Sequence, residues 1–98
     1  MSKKLEPIHP GEILRKDFLE PLGISINRLA RDIAVSPGRV SEIVNGKRGI
    51  SADTALRLSR YFGVSPELWL GLQSEYDLRV AKQTVGDEID KRIHPFAA

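Results

Sequence analysis

Apolar residues recur at helical spacing in five stretches of the chain, each bracketed by residues that start or stop helices. In the first, Ile13, Leu14, Phe18 and Leu19 follow His9-Pro10-Gly11-Glu12, with Pro10 at a first-turn position. Pro21 and Gly23 predict its end at about Leu19. In the second, Ser25 can cap a helix carrying Leu29, Ala30 and Ile33, and the pattern stops around residues 34–35. Ser36 can cap a third, with Pro37 where a missing N–H costs nothing, an inward stripe of Val40, Ile43 and Val44, and Asn45-Gly46 at its end. A fourth begins at Ser51, with Asp53 in its first turn and Ala52, Ala55, Leu56, Ser59 and Phe62 on one face, Leu58 beside it, before Gly63. Ser65-Pro66-Glu67 starts a fifth, whose Leu68, Trp69, Leu72, Tyr76 and Val80 predict a helix to about Lys82, with Trp69 in the core.

Helix, tight turn, helix over residues 25–45 is the pattern of a helix-turn-helix. With Val40, Ile43 and Val44 inward, Pro37, Gly38, Arg39, Ser41, Glu42 and Asn45 lie at the start or on the outside of the third helix. Short side chains at a helix N-terminus allow close approach to a major groove, and an arginine there can bind guanine O6 and N7 together. Arg39 and Ser41 are thus candidates for bases, Pro37 and Gly38 for close approach, and Glu42 for accepting from cytosine. Ser36, Asn45, Lys47 and Arg48 are candidates for phosphates, with Arg28 a weaker one. Arg57 and Arg60 lie off the apolar face of the fourth helix, open either to solvent or to a nucleic-acid backbone.

Charge sharpens this picture. The net charge is +2, yet residues 25–60 carry seven basic side chains against three acidic, while residues 1–24 balance and residues 61–98 are net acidic. Positive charge therefore concentrates on the helix-turn-helix, as an electrostatic footprint for DNA should. At 98 residues the chain has room for one domain with a modest core and little for an enclosed active site. Without cysteine it has neither disulfides nor a thiolate metal site, and with no long apolar run and no secretory leader a cytoplasmic location is expected. No catalytic or metal residues are assigned and no cofactor is expected: the carboxylates are scattered and no GxSxG or phosphate loop occurs. The chain is not expected to be an enzyme. His9 lacks neighbouring ligands and is read as a capping or packing residue.

The run LARDIAVSPGRVSEIVNGKRGISADTALRLSRYFGVSPELWLGLQSEYDLR resembles the lambda-repressor-like, or XRE, helix-turn-helix family. Together with HPGEIL upstream it resembles, more narrowly, the HigA antitoxins of bacterial toxin–antitoxin modules, over roughly residues 7–81. The resemblance implies an all-α fold of five helices, the second and third forming the DNA-reading unit, with a short C-terminal extension. It implies repression of the module's own promoter and a partner, a HigB-like toxin that is a small ribosome-dependent messenger-RNA endonuclease. A relative without a neighbouring toxin would be a stand-alone repressor. Two positions depart from the wider pattern. Ile26 stands where many relatives carry a phosphate-binding glutamine, and Ala34 stands near a turn position that often holds glycine.

Leu72, Tyr76 and Val80 continue the fifth stripe beyond the reach of a small core, which predicts a homodimer interface on that helix, with a stripe folded back on the first helix as the alternative; a dimer implies a palindromic double-stranded DNA operator. The expected division is a mobile N-terminal arm over residues 1–8, a helix-turn-helix domain over 9–83 that includes the fifth helix, and a tail over 84–98. In that tail Ile89, Ile93 and Phe96 have the spacing of a short helical turn or two, or of a segment ordered only on binding.

Overall fold

The computed structural model describes residues 6–97, which form five helices and no strand. Helix α1 covers residues 10–22, α2 Ile26–Asp32, α3 Pro37–Val44, α4 Ala52–Phe62 and α5 Pro66–Arg92. Four of the five begin on a serine. Ser25, Ser36, Ser51 and Ser65 each have extended backbone and accept, through the side-chain oxygen, the N–H three residues on. Gly23, Gly46 and Gly63 take positive φ after α1, α3 and α4, where a side chain would be strained.

Helix α1 begins on His9, whose Nδ1 accepts the Gly11 N–H at 2.9 Å, while its ring meets Tyr76 of α5 edge-on at 4.8 Å. The capping and packing role expected of His9 is what the structure has. Burial pulls its pKa below the ordinary value of 6.5, against the charge of Asp77, and a proton on Nδ1 would remove the cap. The folded chain thus takes up that proton less readily than the unfolded one. Stability is lost as pH falls below about 6.5 and through the lower folded value. Thermal melts between roughly pH 7.5 and 5 should show a loss of up to about 1 kcal/mol, the usual worth of a cap, and His9→Asn should flatten that slope.

The first helix does not end at Leu19. It widens to a π-helix over Leu14–Leu19 and continues through Pro21 to Leu22, with the Glu20 N–H donating to the Arg15 carbonyl. A proline inside a helix removes one donor and crowds the carbonyl four residues back, and a widened turn accommodates both.

The core lies where the five helices meet. Leu14 and Leu19 of α1, Leu29 and Ala30 of α2, Val40 and Ile43 of α3, and Leu58 of α4 close on Trp69 of α5, which is fully buried. The Phe18 ring packs at a tilt against those of Phe62 and Trp69, at 4.9 and 5.0 Å. On α4 the inward face is rotated from the expected one: Thr54, Ala55, Leu58 and Ser59 are buried, whereas Ala52 and Leu56 are exposed. Both faces have helical spacing, and the one holding Leu58 reaches the centre of the bundle.

Helix α5 also departs from expectation. It runs on through Gly86 to Arg92, past the end expected at about Lys82 and into the expected tail. An interior glycine costs a helix only about 1 kcal/mol, and i,i+4 pairs such as Glu75–Arg79 support the exposed length. Leu72, Tyr76 and Val80 are all half-buried, Leu72 against the core and Tyr76 against His9. Leu78, Val85, Ile89 and Ile93 form a second, exposed row. Of the arm expected over residues 1–8, residues 1–5 lie outside the described residues. Ile8 sits beside Ile13, Leu72 and Tyr76 around an apolar groove.

Candidate nucleic-acid interface

Between α2 and α3 the chain turns on Ala34, at φ 59°, the one non-glycine residue with positive φ among those described. A methyl group in that conformation costs roughly 1–2 kcal/mol. Ala34→Gly relieves it while loosening the unfolded chain, so a net gain of about 0.5–1 kcal/mol is expected in denaturant titrations. What holds the turn is Arg57 of α4. Its Nη1 donates to the carbonyls of Ile33 and Ala34 at 2.9 and 3.1 Å, satisfying groups that the end of α2 leaves open. Arg57 is therefore a strut of the turn, with its side chain still partly exposed.

The turn brings the N-termini of α2 and α3 side by side. Ser25, Ile26, Asn27, Pro37, Gly38 and Ser41 line a shallow open groove between them. Pro37 and Gly38 are exposed, and a Cβ built on Gly38 would meet nothing within 4 Å. This edge can approach a surface closely, and two helix N-termini make it favourable to negative charge.

The charged candidates are less free than the sequence suggests. Arg39 is paired with Asp53 at 3.4 Å, Arg48 with Glu42 at 2.8 Å and Arg28 with Asp32 at 3.5 Å. Ser36 Oγ accepts the Arg39 N–H at 3.2 Å, which leaves its hydroxyl proton for a ligand, and Ser41 Oγ accepts from Asn45 Nδ2 at 3.4 Å. Asp32 also accepts from the Tyr61 hydroxyl at 2.6 Å. That bond first, then Arg31 and Arg28, holds the Asp32 carboxyl below the usual range; Arg57 and then Arg39 do the same for Asp53. These are exposed, solvent-screened pairs, so a ligand that offers a guanidinium or carboxylate better geometry can displace its ion-pair counterpart. Lys47 and Arg60 have no ion-pair partner among the described residues.

Gln73 of α5, which the sequence did not single out, fixes the basic loop. Its Oε1 accepts the Ile50 N–H at 2.7 Å, its side chain packs on Gly49, and its Nε2 donates to Asp77 at 3.0 Å. A partner 23 residues away leaves no local signal. Asn27 is different: an exposed polar residue in the first turn of α2 was there to be read. Among the described residues no group of His, Asp or Glu side chains could hold a metal ion, and no helix is long and apolar enough to cross a membrane.

The helix-turn-helix family profile matches residues 16–69. The chain is 54% identical over 82 residues to virulence-associated protein I of Dichelobacter nodosus, covering 84% of this chain and 76% of that protein. Its fold matches Pseudomonas aeruginosa antitoxin HigA, solved with the higBA promoter, at TM-score 0.91 and 50% identity over 93% of this chain and 99% of that one. It matches antitoxin GraA in complex with its operator at TM-score 0.90 and 44% identity, over 100% of this chain and 99% of that one. With over half of its length matched by the profile and nearly all of it by such close relatives, this chain belongs to the helix-turn-helix family and has the fold of the HigA antitoxins.

Proposed function

We propose that this chain is a cytoplasmic DNA-binding antitoxin that represses its own operon as a dimer and neutralises a HigB-like ribonuclease toxin. The observation that carries the reading is the open edge at the paired N-termini of α2 and α3, beside a pinned basic loop. Relatives with the same fold were solved with promoter or operator DNA, which supports it. In this reading Arg39 and Ser41 face bases, Pro37 and Gly38 permit the approach, and Glu42 accepts from cytosine once Arg48 turns to a phosphate. Ser36, Asn45, Lys47 and Arg48, with Arg28, meet the backbone. The dimer forms through α5 at the half-buried Leu72, Tyr76 and Val80, the first two of which border the apolar groove with Ile8 and Ile13. The toxin rests on the family alone.

Two measurements test it. Affinity for a duplex of the chain's own promoter should fall about a thousandfold or more between roughly 50 and 200 mM salt, and Lys47→Ala should weaken all sequences alike and lower the salt slope by about one unit per protomer. Co-expression with the neighbouring gene should yield a stoichiometric complex whose partner alone arrests growth. Promoter binding without such a partner would leave a stand-alone repressor.

A further inference from the structure

Asp53 is an acidic residue set beside the helix that is offered to DNA. It occupies the second position of α4, whose cap is already supplied by Ser51 accepting the Thr54 N–H. A carboxylate there repels every phosphate, so it lowers affinity for all sequences alike. Its placement makes sense if it raises the difference between one sequence and the rest.

The contacts of a single oxygen suggest how. Asp53 Oδ1 accepts from Arg57 Nε at 2.7 Å and from Arg39 Nη1 at 3.4 Å. Arg57 is itself locked by its Nη1 to the carbonyls of Ile33 and Ala34. A continuous chain of hydrogen bonds therefore runs from the left-handed turn through Arg57 and Asp53 to Arg39, in the first turn of α3. The shorter bond anchors the carboxylate and the longer one restrains Arg39. An unrestrained arginine at this position would seize phosphates of any sequence and would lose more rotamer freedom on settling against a base.

We propose that Asp53 is a specificity-determining positioning residue: held in place by Arg57, it restrains Arg39 so that the guanidinium is given up to a matching base edge and withheld from arbitrary phosphates. This rests on the base-reading role of Arg39 proposed above. Asp53 itself touches no DNA in this scheme; it acts through Arg39.

The test compares the full-length chain with Asp53→Ala, Arg39→Ala and the double variant, by fluorescence anisotropy at one salt concentration. The probes are the promoter duplex and a scrambled duplex of equal length. Asp53→Ala should bind the scrambled duplex more tightly, and its promoter-to-scrambled ratio should fall about tenfold, the scale of one good base contact. In the Arg39→Ala background, removal of Asp53 should raise both affinities together and change the ratio by less than about twofold. A structural or purely electrostatic role would not produce that dependence on Arg39. The fold should survive, because Arg57 keeps its two carbonyls and Asp53 is exposed. If Asp53→Ala nevertheless unfolds, Asp53→Asn keeps the acceptor oxygen without the charge and should lower the ratio about threefold. A ratio unchanged in the single variant, or lowered as far without Arg39, overturns the role of Asp53. A wild-type chain with no preference for its promoter sinks the DNA reading itself.

Discussion

Replacing Gly11 with alanine is expected to destabilise the protein by roughly 3 kcal/mol or more, enough to unfold much of it near physiological temperature. The helix start at Pro10 is buried, and a Cβ at Gly11 would collide with the Ile43 carbonyl oxygen and stand 3.1 Å from His9 Nδ1. The carbonyl is backbone near the end of α3 and also accepts the Gly46 N–H at 3.0 Å, so it cannot rotate away. Relief requires α1 to move off α3, which opens the core at Leu14 and Ile43. Gly71→Ala in α5 is the control: a Cβ there meets nothing within 4 Å, and the change should stabilise by up to about 1 kcal/mol through helix propensity. Urea titrations of both variants, read by the fluorescence of Trp69, check the pair. A Gly11→Ala midpoint equal to wild type would show that α1 and α3 can separate without penalty.

Arg39→Ala should weaken binding to the promoter duplex by about 2–6 kcal/mol while leaving the melting temperature nearly unchanged. One bidentate base contact contributes roughly 1–3 kcal/mol, and a dimer on a palindrome loses it in both half-sites. The ion pair to Asp53 does not prevent that contact. A single solvent-screened contact at 3.4 Å is weaker than two parallel hydrogen bonds to a guanine edge. The signature is positional: across singly substituted promoter duplexes, the variant should lose its preference at one symmetric pair of base pairs and keep it elsewhere. A uniform loss across all duplexes would place Arg39 on phosphate instead.

Much of the fold was legible because its boundaries are local. Ser25, Ser36, Ser51 and Ser65 mark starts that the structure keeps, and Gly23, Gly46 and Gly63 mark ends. The misreadings share a cause, since each took a helix-breaking residue at face value or chose between two equal faces. Pro21 is carried by a π turn, Gly86 is tolerated in a long helix, and Leu56 and Leu58 compete for the core on spacing that cannot separate them. At the candidate site, residue types, net charge and i,i+4 pairs such as Arg28–Asp32 could be read, but the long-range pairing could not. The Asp53 that holds Arg39 and the Ile33 carbonyl that Arg57 caps lie 14 and 24 residues away, and only the closed bundle brings them within reach.

Those four serines also bear on how the chain reaches its native state. When each helix carries its own start signal, the ends of α2 to α5 are defined before any two helices meet. The short helices are marginal alone and are fixed as they dock, yet with local boundaries and short turns little chain must be closed into large loops. Folding on the microsecond-to-millisecond scale of small helical domains follows.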